Sequence, residues 1–270
     1  MTEGIPIPKS SDDIIIKEYL DDLDFPLHSK YFGRDQLFEQ IEGYIEKGQY
    51  SVLCLYGFEG EGKSSFLFHL LTKLAAKKKK YYGARFVYYW KIRSPISNTK
   101  TGVSNISGFL EKVLIFYGIQ SAQLDDSGRL EQLLTQLNKK KSILILDGID
   151  ALQEATYYGK KVINDKIIKR LITSVARNGL AREGFLIILS RHPIIELEFF
   201  QKAINLPISQ LTEEDCCKIF NLYNIVGEKQ QLKQISKNVK NNPLAVTLIA
   251  RLILSSYDGN IDRFKPWTRL

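Results

Sequence analysis

Short runs of apolar residues recur along the chain, and each has the length of a buried strand. Five runs predict strands, and they cover residues 51–56, 85–92, 142–147, 184–189 and 203–207. The runs 143–146 and 185–189 are apolar without alternation, so both faces of these strands should be covered. This pattern is typical of a parallel sheet with helices on both sides.

Between the apolar runs, hydrophobic residues recur three and four positions apart, which is the spacing of one helix face. The helices predicted from this spacing cover residues 35–47, 64–76, 106–117, 125–137 and 161–177. Strands and helices therefore alternate along the chain. Such alternation predicts an α/β fold built around a parallel sheet.

The strand pattern ends at Leu211, and the residues beyond it have a helical pattern. Thr212 is the expected cap of one helix, and two more are predicted over residues 230–239 and 243–254, with Pro243 in the first turn of the last. The chain then divides into three parts. They are an N-terminal arm (1–30), an α/β domain (31–208) and a small all-helical domain (209–270).

The composition is that of an ordinary globular protein, with 44% hydrophobic and 25% charged residues. No apolar stretch reaches the length of a membrane span and the N-terminus lacks the pattern of a signal peptide, which favours a cytoplasmic protein without a membrane partner. The net charge of +8 leaves a nucleic-acid partner open. However, much of the excess lies in the lysine runs 77–80 and 139–141, and solvated surface is the favoured interpretation.

The first predicted strand runs directly into a phosphate-loop motif. Residues 57–64 read Gly-Phe-Glu-Gly-Glu-Gly-Lys-Ser and fit the pattern G-x-x-x-x-G-K-[ST] at each fixed position. A strand precedes the motif and a helix follows it, which is the context that places phosphates on the free N–H groups of a helix N-terminus. The alternative, a glycine-rich turn between core elements, is less well supported.

Each residue type in this loop suits a nucleotide. Gly57, Gly60 and Gly62 allow positive φ and a close approach of phosphate oxygens, Lys63 supplies a charge for the β- and γ-phosphates, and Ser64 offers a hydroxyl to Mg²⁺. Glu59 and Glu61 add negative charge beside an anion site. We expect their carboxylates to point outward to solvent.

A carboxylate ends the strand 142–147. The carboxyl ends of parallel strands open toward the ligand crevice, so Asp147 should reach the Mg²⁺ that Ser64 holds. A turn aspartate before Gly148 is the alternative. Asp150 follows close enough to orient or deprotonate a water molecule. Arg191 ends the strand 184–189 and could sense the γ-phosphate, with a surface loop arginine as the alternative.

These motifs together resemble the nucleotide-binding module of the STAND NTPases, the group that contains the NB-ARC and NACHT proteins. Residues 31–35 resemble the hydrophobic-Gly-Arg-Glu segment that lies against the adenine, and residues 146–150 resemble the NACHT form of the Walker B motif. Arg191 matches the sensor arginine. Residues 242–245 match the Gly-x-Pro-Leu-Ala motif, with Asn241 in place of the glycine.

The resemblance implies a switch operated by ATP and ADP with Mg²⁺. Nucleotide would lie between the two domains, hydrolysis would be slow, and nucleotide exchange would control oligomerisation in signalling or defence. Self-association and effector or sensor domains of a larger protein are the implied partners. The nucleotide-binding residues expected on these grounds are Phe32, Gly33, Arg34, Gly57, Phe58, Gly60, Glu61, Gly62, Lys63, Ser64, Ser65 and Pro243. The expected catalytic residues are Lys63, Asp147, Asp150 and Arg191, and the expected metal ligands are Ser64 and Asp147.

The predicted sheet has the order 5-1-4-3-2 when the five strands are numbered along the chain. The main alternative function is an AAA+-type ATPase acting on nucleic acid, which would account for the basic charge, although Gly148 stands where that class usually carries an acid. A small-molecule kinase is a third candidate. It is disfavoured because no acceptor base or substrate lid is evident.

Overall fold

The computed structural model of the protein describes residues 31–76, 83–92, 106–156 and 159–264. The predicted N-terminal arm and the lysine run 77–80 lie outside these ranges. Within them, no helix has both the length and the apolar composition that a membrane span requires.

A five-stranded parallel sheet forms the centre of the molecule. Its strands are β1 (Val52–Tyr56), β2 (Phe86–Lys91), β3 (Ser142–Asp147), β6 (Phe185–Ser190) and β7 (Ala203–Pro207). They lie in the order β7-β1-β6-β3-β2. This is the predicted arrangement strand for strand, and only the numbers change, because two short strands that the sequence pattern did not predict precede β6.

Those two strands, β4 (Gln153–Ala155) and β5 (Lys161–Ile163), pair antiparallel in a separate small sheet. The prediction of one helix over residues 161–177 was therefore wrong at its start. The helix begins at Lys166, and Asp165 caps it by accepting a hydrogen bond from the N–H of Ile168 at 2.8 Å. Asparagine and aspartate at residues 164 and 165 favour this cap over a continuous helix.

Eight α-helices are described in these ranges, five in the α/β part and three after it. They are α1 (Asp35–Glu46), α2 (Lys63–Ala76), α3 (Ile106–Phe116), α4 (Asp126–Lys139), α5 (Lys166–Asn178), α6 (Glu213–Leu222), α7 (Lys229–Asn238) and α8 (Pro243–Tyr257). The caps follow the sequence prediction, since Thr212 accepts a hydrogen bond from the N–H of Asp215 and Pro243 begins α8.

The two faces of the sheet have separate cores, because successive residues of a strand point to opposite sides. Leu53 and Leu55 of β1 pack with α1 and α2, whereas Val52 and Cys54 belong to the core beneath α3, α4 and α5. Both sets are buried. The unbroken apolar runs of the sequence are explained by this double coverage.

The three C-terminal helices enclose a third core of their own, which includes Cys216, Phe220 and Val246. Phe32, from the segment before α1, packs against this core and so joins the chain's first described residues to the helical unit. Cys54, Cys216 and Cys217 are all buried free thiols.

Candidate functional site

Three chain segments meet at the carboxyl edge of the sheet. The loop 57–62 joins β1 to α2, Asp147 ends β3, and Arg191 follows the last residue of β6. Since β6 lies between β1 and β3, with Tyr56 opposite Ser190 and Asp147 opposite Leu189, the three segments converge on one edge. This is the place where open α/β sheets bind ligands.

Lys63 is the first residue of α2, and its side chain turns back over the loop. The Nζ atom donates hydrogen bonds to the carbonyl oxygens of Gly57 at 2.7 Å and Phe58 at 2.9 Å. Burial lowers the pKa of the Lys63 ammonium, while nearby carboxylates, of which Asp150 contributes most, oppose that shift. Anionic oxygens of a bound ligand could therefore take the place of these two carbonyl oxygens as hydrogen-bond partners of the ammonium.

The two loop glutamates behave differently from each other. Glu59 is exposed, as expected, but Glu61 is buried and its carboxylate accepts a hydrogen bond from the N–H of Phe58 at 2.6 Å. The prediction that Glu61 points outward was wrong. Its carboxylate fills the space beside Gly57, where an added Cβ would lie 2.3 Å from Oε2. Gly57 is thus required for the approach of Glu61, and its φ is not positive, unlike that of Gly60 and Gly62.

Ser64, Asp147 and Tyr89 form a chain of polar contacts. Ser64 Oγ lies 3.4 Å from Asp147 Oδ2, and the Tyr89 hydroxyl donates to the same oxygen at 2.7 Å. Burial and the Asp147 charge raise the pKa of Tyr89, so its hydroxyl remains a proton donor. Sequence reasoning missed Tyr89. Its position in β2, the strand next to β3, was the available signal, but alternation alone did not distinguish it from Tyr88.

Arg191 is held by two carboxylates. Its Nε atom lies 3.1 Å from Asp150 Oδ2, and its Nη2 atom lies 3.2 Å from Glu59 Oε2. The backbone N–H of Arg191 also donates to Asp150 at 3.2 Å. Asp150, in the short 3₁₀ turn 149–152, is thereby fixed beside the end of β6.

Arg34 connects the phosphate loop to the start of the helical unit. Its guanidinium donates to the carbonyl oxygen of Glu61 and, from Nη2, to that of Ser209 at 2.8 Å. Arg34 has a φ of 66°, which non-glycine residues adopt rarely and mainly at functional or tightly determined positions. Gly33 beside it packs so closely that an added Cβ would lie 2.5 Å from Asp215 Oδ2.

The N-terminus of α8 also contacts the loop directly. The N–H of Leu244 donates to the carbonyl oxygen of Gly60 at 3.2 Å, and Asn242 Nδ2 donates to that of Glu59 at 3.3 Å. Gly60 has a φ of 79°, and an added Cβ would lie 3.0 Å from Asn242 Oδ1. Pro243 comes close to Gly62. The helical unit therefore closes over the phosphate loop.

The remaining predicted residues lie at the edge of this site. Phe58 is 71% exposed on the outside of the loop and Ser65 is exposed in the first turn of α2, while Phe32 packs on the helical core. Two hollows of about 210 and 480 Å³ lie near residues 138 and 179, at the opposite edge of the sheet. Their position before β3 and β6 is the wrong end for a ligand of a parallel sheet, so the phosphate-loop edge is the better candidate.

The donor set matches Mg²⁺ bound to phosphates. Mg²⁺ prefers oxygen ligands, and the Ser64 hydroxyl and Asp147 carboxylate are oxygen donors held at the foot of a helix N-terminus. In the described ranges no group of three or more His, Cys, Asp or Glu side chains forms a protein-only metal site. A metal here would depend on the nucleotide for its other ligands.

A family model and a curated relative match much of this chain. The family model described as the NACHT domain matches residues 51–224, which is more than half of the chain. A curated relative, an uncharacterized WD repeat-containing protein of Nostoc sp., is 21% identical over 87% of this chain, which spans 19% of that protein.

Solved structures share the fold at low identity. A STAND protein with a tetratricopeptide repeat sensor from Pyrococcus horikoshii gives a TM-score of 0.55 at 15% identity, over 82% of this chain and 30% of that one. A Walker-type ATPase of Pyrococcus abyssi gives a TM-score of 0.50 at 16% identity, over 86% of this chain and 70% of that one. The ORC1 protein of Aeropyrum pernix, solved with DNA, gives a TM-score of 0.51 at 15% identity, over 83% of this chain and 59% of that one.

The family match covers the phosphate loop, the Asp147 strand and Arg191 together, and the geometry brings these same segments to one edge of a parallel sheet. The chain belongs to the NACHT domain family and is a P-loop NTPase of the STAND class.

Proposed function

We propose that this chain binds Mg-ATP and Mg-ADP between its α/β domain, residues 31–208, and its helical domain, residues 209–270. ATP hydrolysis is slow, and the bound nucleotide controls association of the protein with itself or with sensor and effector domains. The cellular role is in signalling or defence. The observation that carries this proposal is the direct contact of Asn242 and Leu244 with the loop backbone.

That contact would couple nucleotide binding to the arrangement of the two domains. A nucleotide on the loop 57–62 would lie against the first turn of α8, so any change in its phosphates alters the energy of the closed arrangement. Arg34 strengthens the coupling because it bonds both Glu61 and the interdomain residue Ser209. Lys63 and Arg191 would stabilise γ-phosphate charge, and Ser64 and Asp147 would hold Mg²⁺.

Slow hydrolysis is supported by the residues after Asp147. Gly148 follows it, so no carboxylate stands at the adjacent position to activate water. Asp150 is the candidate for positioning that water molecule, but its carboxylate is already paired with Arg191. Both carboxylate oxygens of Asp150 contact Arg191, one through Nε and the other through the backbone N–H, which leaves fewer lone pairs to hold a water molecule.

The relatives support a sensor partner. The Nostoc protein carries WD repeats and the P. horikoshii protein a tetratricopeptide repeat sensor, and this chain spans only a small part of each. An ATPase acting on nucleic acid remains the alternative, for which the net charge of +8 is the specific observation. Duplex binding that weakens steeply with salt, measured by fluorescence anisotropy, would favour it.

Identification of the nucleotide that co-purifies with the protein tests the proposal. We expect ADP to be released on denaturation, and the ADP-loaded protein to be monomeric by light scattering while the ATP-loaded protein associates. A protein that retains and binds no purine nucleotide would contradict the proposal.

Tyr89 provides a further test of the proposed metal site. Replacing it with phenylalanine removes only the hydroxyl that bonds Asp147, so Mg²⁺ should strengthen ATP binding about tenfold less than in the wild type. Affinity for ATP without metal should not change. Tyr44→Phe is the matched control, because its hydroxyl accepts a hydrogen bond from Gln40 on the distant α1 surface. An unaltered Mg²⁺ dependence in Tyr89→Phe would exclude a positioning role.

A further inference from the structure

Glu59 has a contact that ordinary phosphate binding does not explain. A carboxylate beside an anion site opposes the binding of phosphates, yet Glu59 Oε2 lies 3.2 Å from Arg191 Nη2. Arg191 is the residue proposed to contact the γ-phosphate. The exposed glutamate of the loop therefore occupies one edge of the guanidinium that ATP would use.

Arg191 presents its donors in two directions. Nε faces Asp150 at 3.1 Å, and Nη2 faces Glu59. The Asp150 contact is supported by the second hydrogen bond from the Arg191 backbone, whereas the Glu59 contact is a single ion pair. Glu59 is thus the partner that an incoming anion would displace more easily.

The helical unit holds the backbone at Glu59 in place. Its carbonyl oxygen accepts a hydrogen bond from Asn242 Nδ2, and the next residue, Gly60, bonds Leu244. The helical unit therefore fixes the backbone from which the Glu59 carboxylate reaches Arg191. When the unit is closed, the carboxylate and Arg191 are held within range of each other.

We propose that Glu59 is a specificity-determining residue that lowers the affinity of the site for ATP relative to ADP. This inference rests on the proposed function. The Glu59 carboxylate pairs with Arg191 as a γ-phosphate would, so ATP must displace this carboxylate. ADP has no γ-phosphate and leaves the pair intact. The carboxylate favours the ADP state and the closed arrangement together.

Glu61 does not share this role. Its carboxylate is buried and bonds the N–H of Phe58, so it maintains the shape of the loop and would affect both nucleotides when replaced. The two glutamates that stand out in the motif thus have separate tasks. One shapes the loop, and the other competes with the γ-phosphate.

The test is Glu59→Gln, titrated by calorimetry with Mg-ADP and with the Mg complex of the β,γ-imido analogue of ATP, which is not hydrolysed. We expect the affinity for the analogue to rise about three- to fivefold, in the upper part of the range for an exposed ion pair, and the affinity for ADP to change less than twofold. Glu198→Gln, an exposed glutamate of the 3₁₀ turn 195–199, is the matched control and should change neither.

A double-mutant cycle separates this mechanism from a general repulsion between the Glu59 carboxylate and the nucleotide phosphates. In an Arg191→Gln background, Glu59→Gln should no longer alter the ratio of the two affinities, because the pair is already broken. An equal gain for both nucleotides, no change in the ratio, or a change that persists without Arg191 would overturn the inference while leaving nucleotide binding intact. Absence of binding in the wild type would overturn the proposed function as well.

Discussion

Replacement of Lys63 by alanine is expected to lower the affinity for ATP and ADP by about a hundredfold or more, which is the scale for loss of one partner of a buried, hydrogen-bonded charge pair. The ammonium lies over the phosphate loop and bonds the carbonyl oxygens of Gly57 and Phe58. Phosphate oxygens would take the place of these carbonyls, and no other lysine of the motif could supply the charge. Calorimetric titration with each nucleotide measures the loss.

The control for this variant is Lys73→Ala. Lys73 lies in the last turn of the same helix, with its ammonium 4.2 Å from the centre of the Phe38 ring and away from the loop. It should bind nucleotide as the wild type does. Lys63→Ala should also keep its far-ultraviolet circular dichroism, because its hydrogen bonds are to loop carbonyls rather than to the core. Unchanged ATP affinity in a folded Lys63→Ala protein would refute the site.

Asp147→Asn should remove the Mg²⁺ dependence of ATP binding and reduce hydrolysis about a hundredfold or more, since the change removes the negative charge of the carboxylate proposed to bind the metal. Asparagine has nearly the same size and its side-chain oxygen can still accept the hydrogen bond from Tyr89. The fold should therefore persist. Titrations with and without Mg²⁺, together with a phosphate-release assay, measure both effects.

Asp126→Asn is the control for this charge change. Asp126 lies in the first turn of α4, where its carboxylate is 3.5 Å from Arg129. Neither nucleotide affinity nor its response to Mg²⁺ should differ from the wild type. If Asp147→Asn instead retained full Mg²⁺ dependence, the aspartate would be a turn residue rather than a metal ligand.

The sheet could be predicted from sequence because its signals are local. Apolar runs of four or more residues indicate strands that are covered on both faces. The structure has such coverage, because one core lies on each side of β1. The phosphate loop could be located for the same reason, since its glycines, Lys63 and flanking elements are contiguous. The order of the strands followed from the resemblance to the STAND class.

The features that sequence reasoning missed depend on contacts between distant segments. Glu61 turns inward because Gly57 leaves room for its carboxylate, and Tyr89 bonds Asp147 because β2 lies beside β3. Arg34 has a positive φ and donates hydrogen bonds to the carbonyl oxygens of both Glu61 and Ser209, which are far from it in the sequence. None of these contacts has a periodicity or a spacing that a single sequence reveals.

Hydrogen exchange with and without Mg-ADP tests most directly whether the nucleotide lies between the two units. We expect slower exchange both in the loop 57–64 and in residues 241–246 at the start of α8, because the two segments would face the same ligand. Slower exchange confined to the loop, with residues 241–246 unchanged, would contradict this placement of the nucleotide.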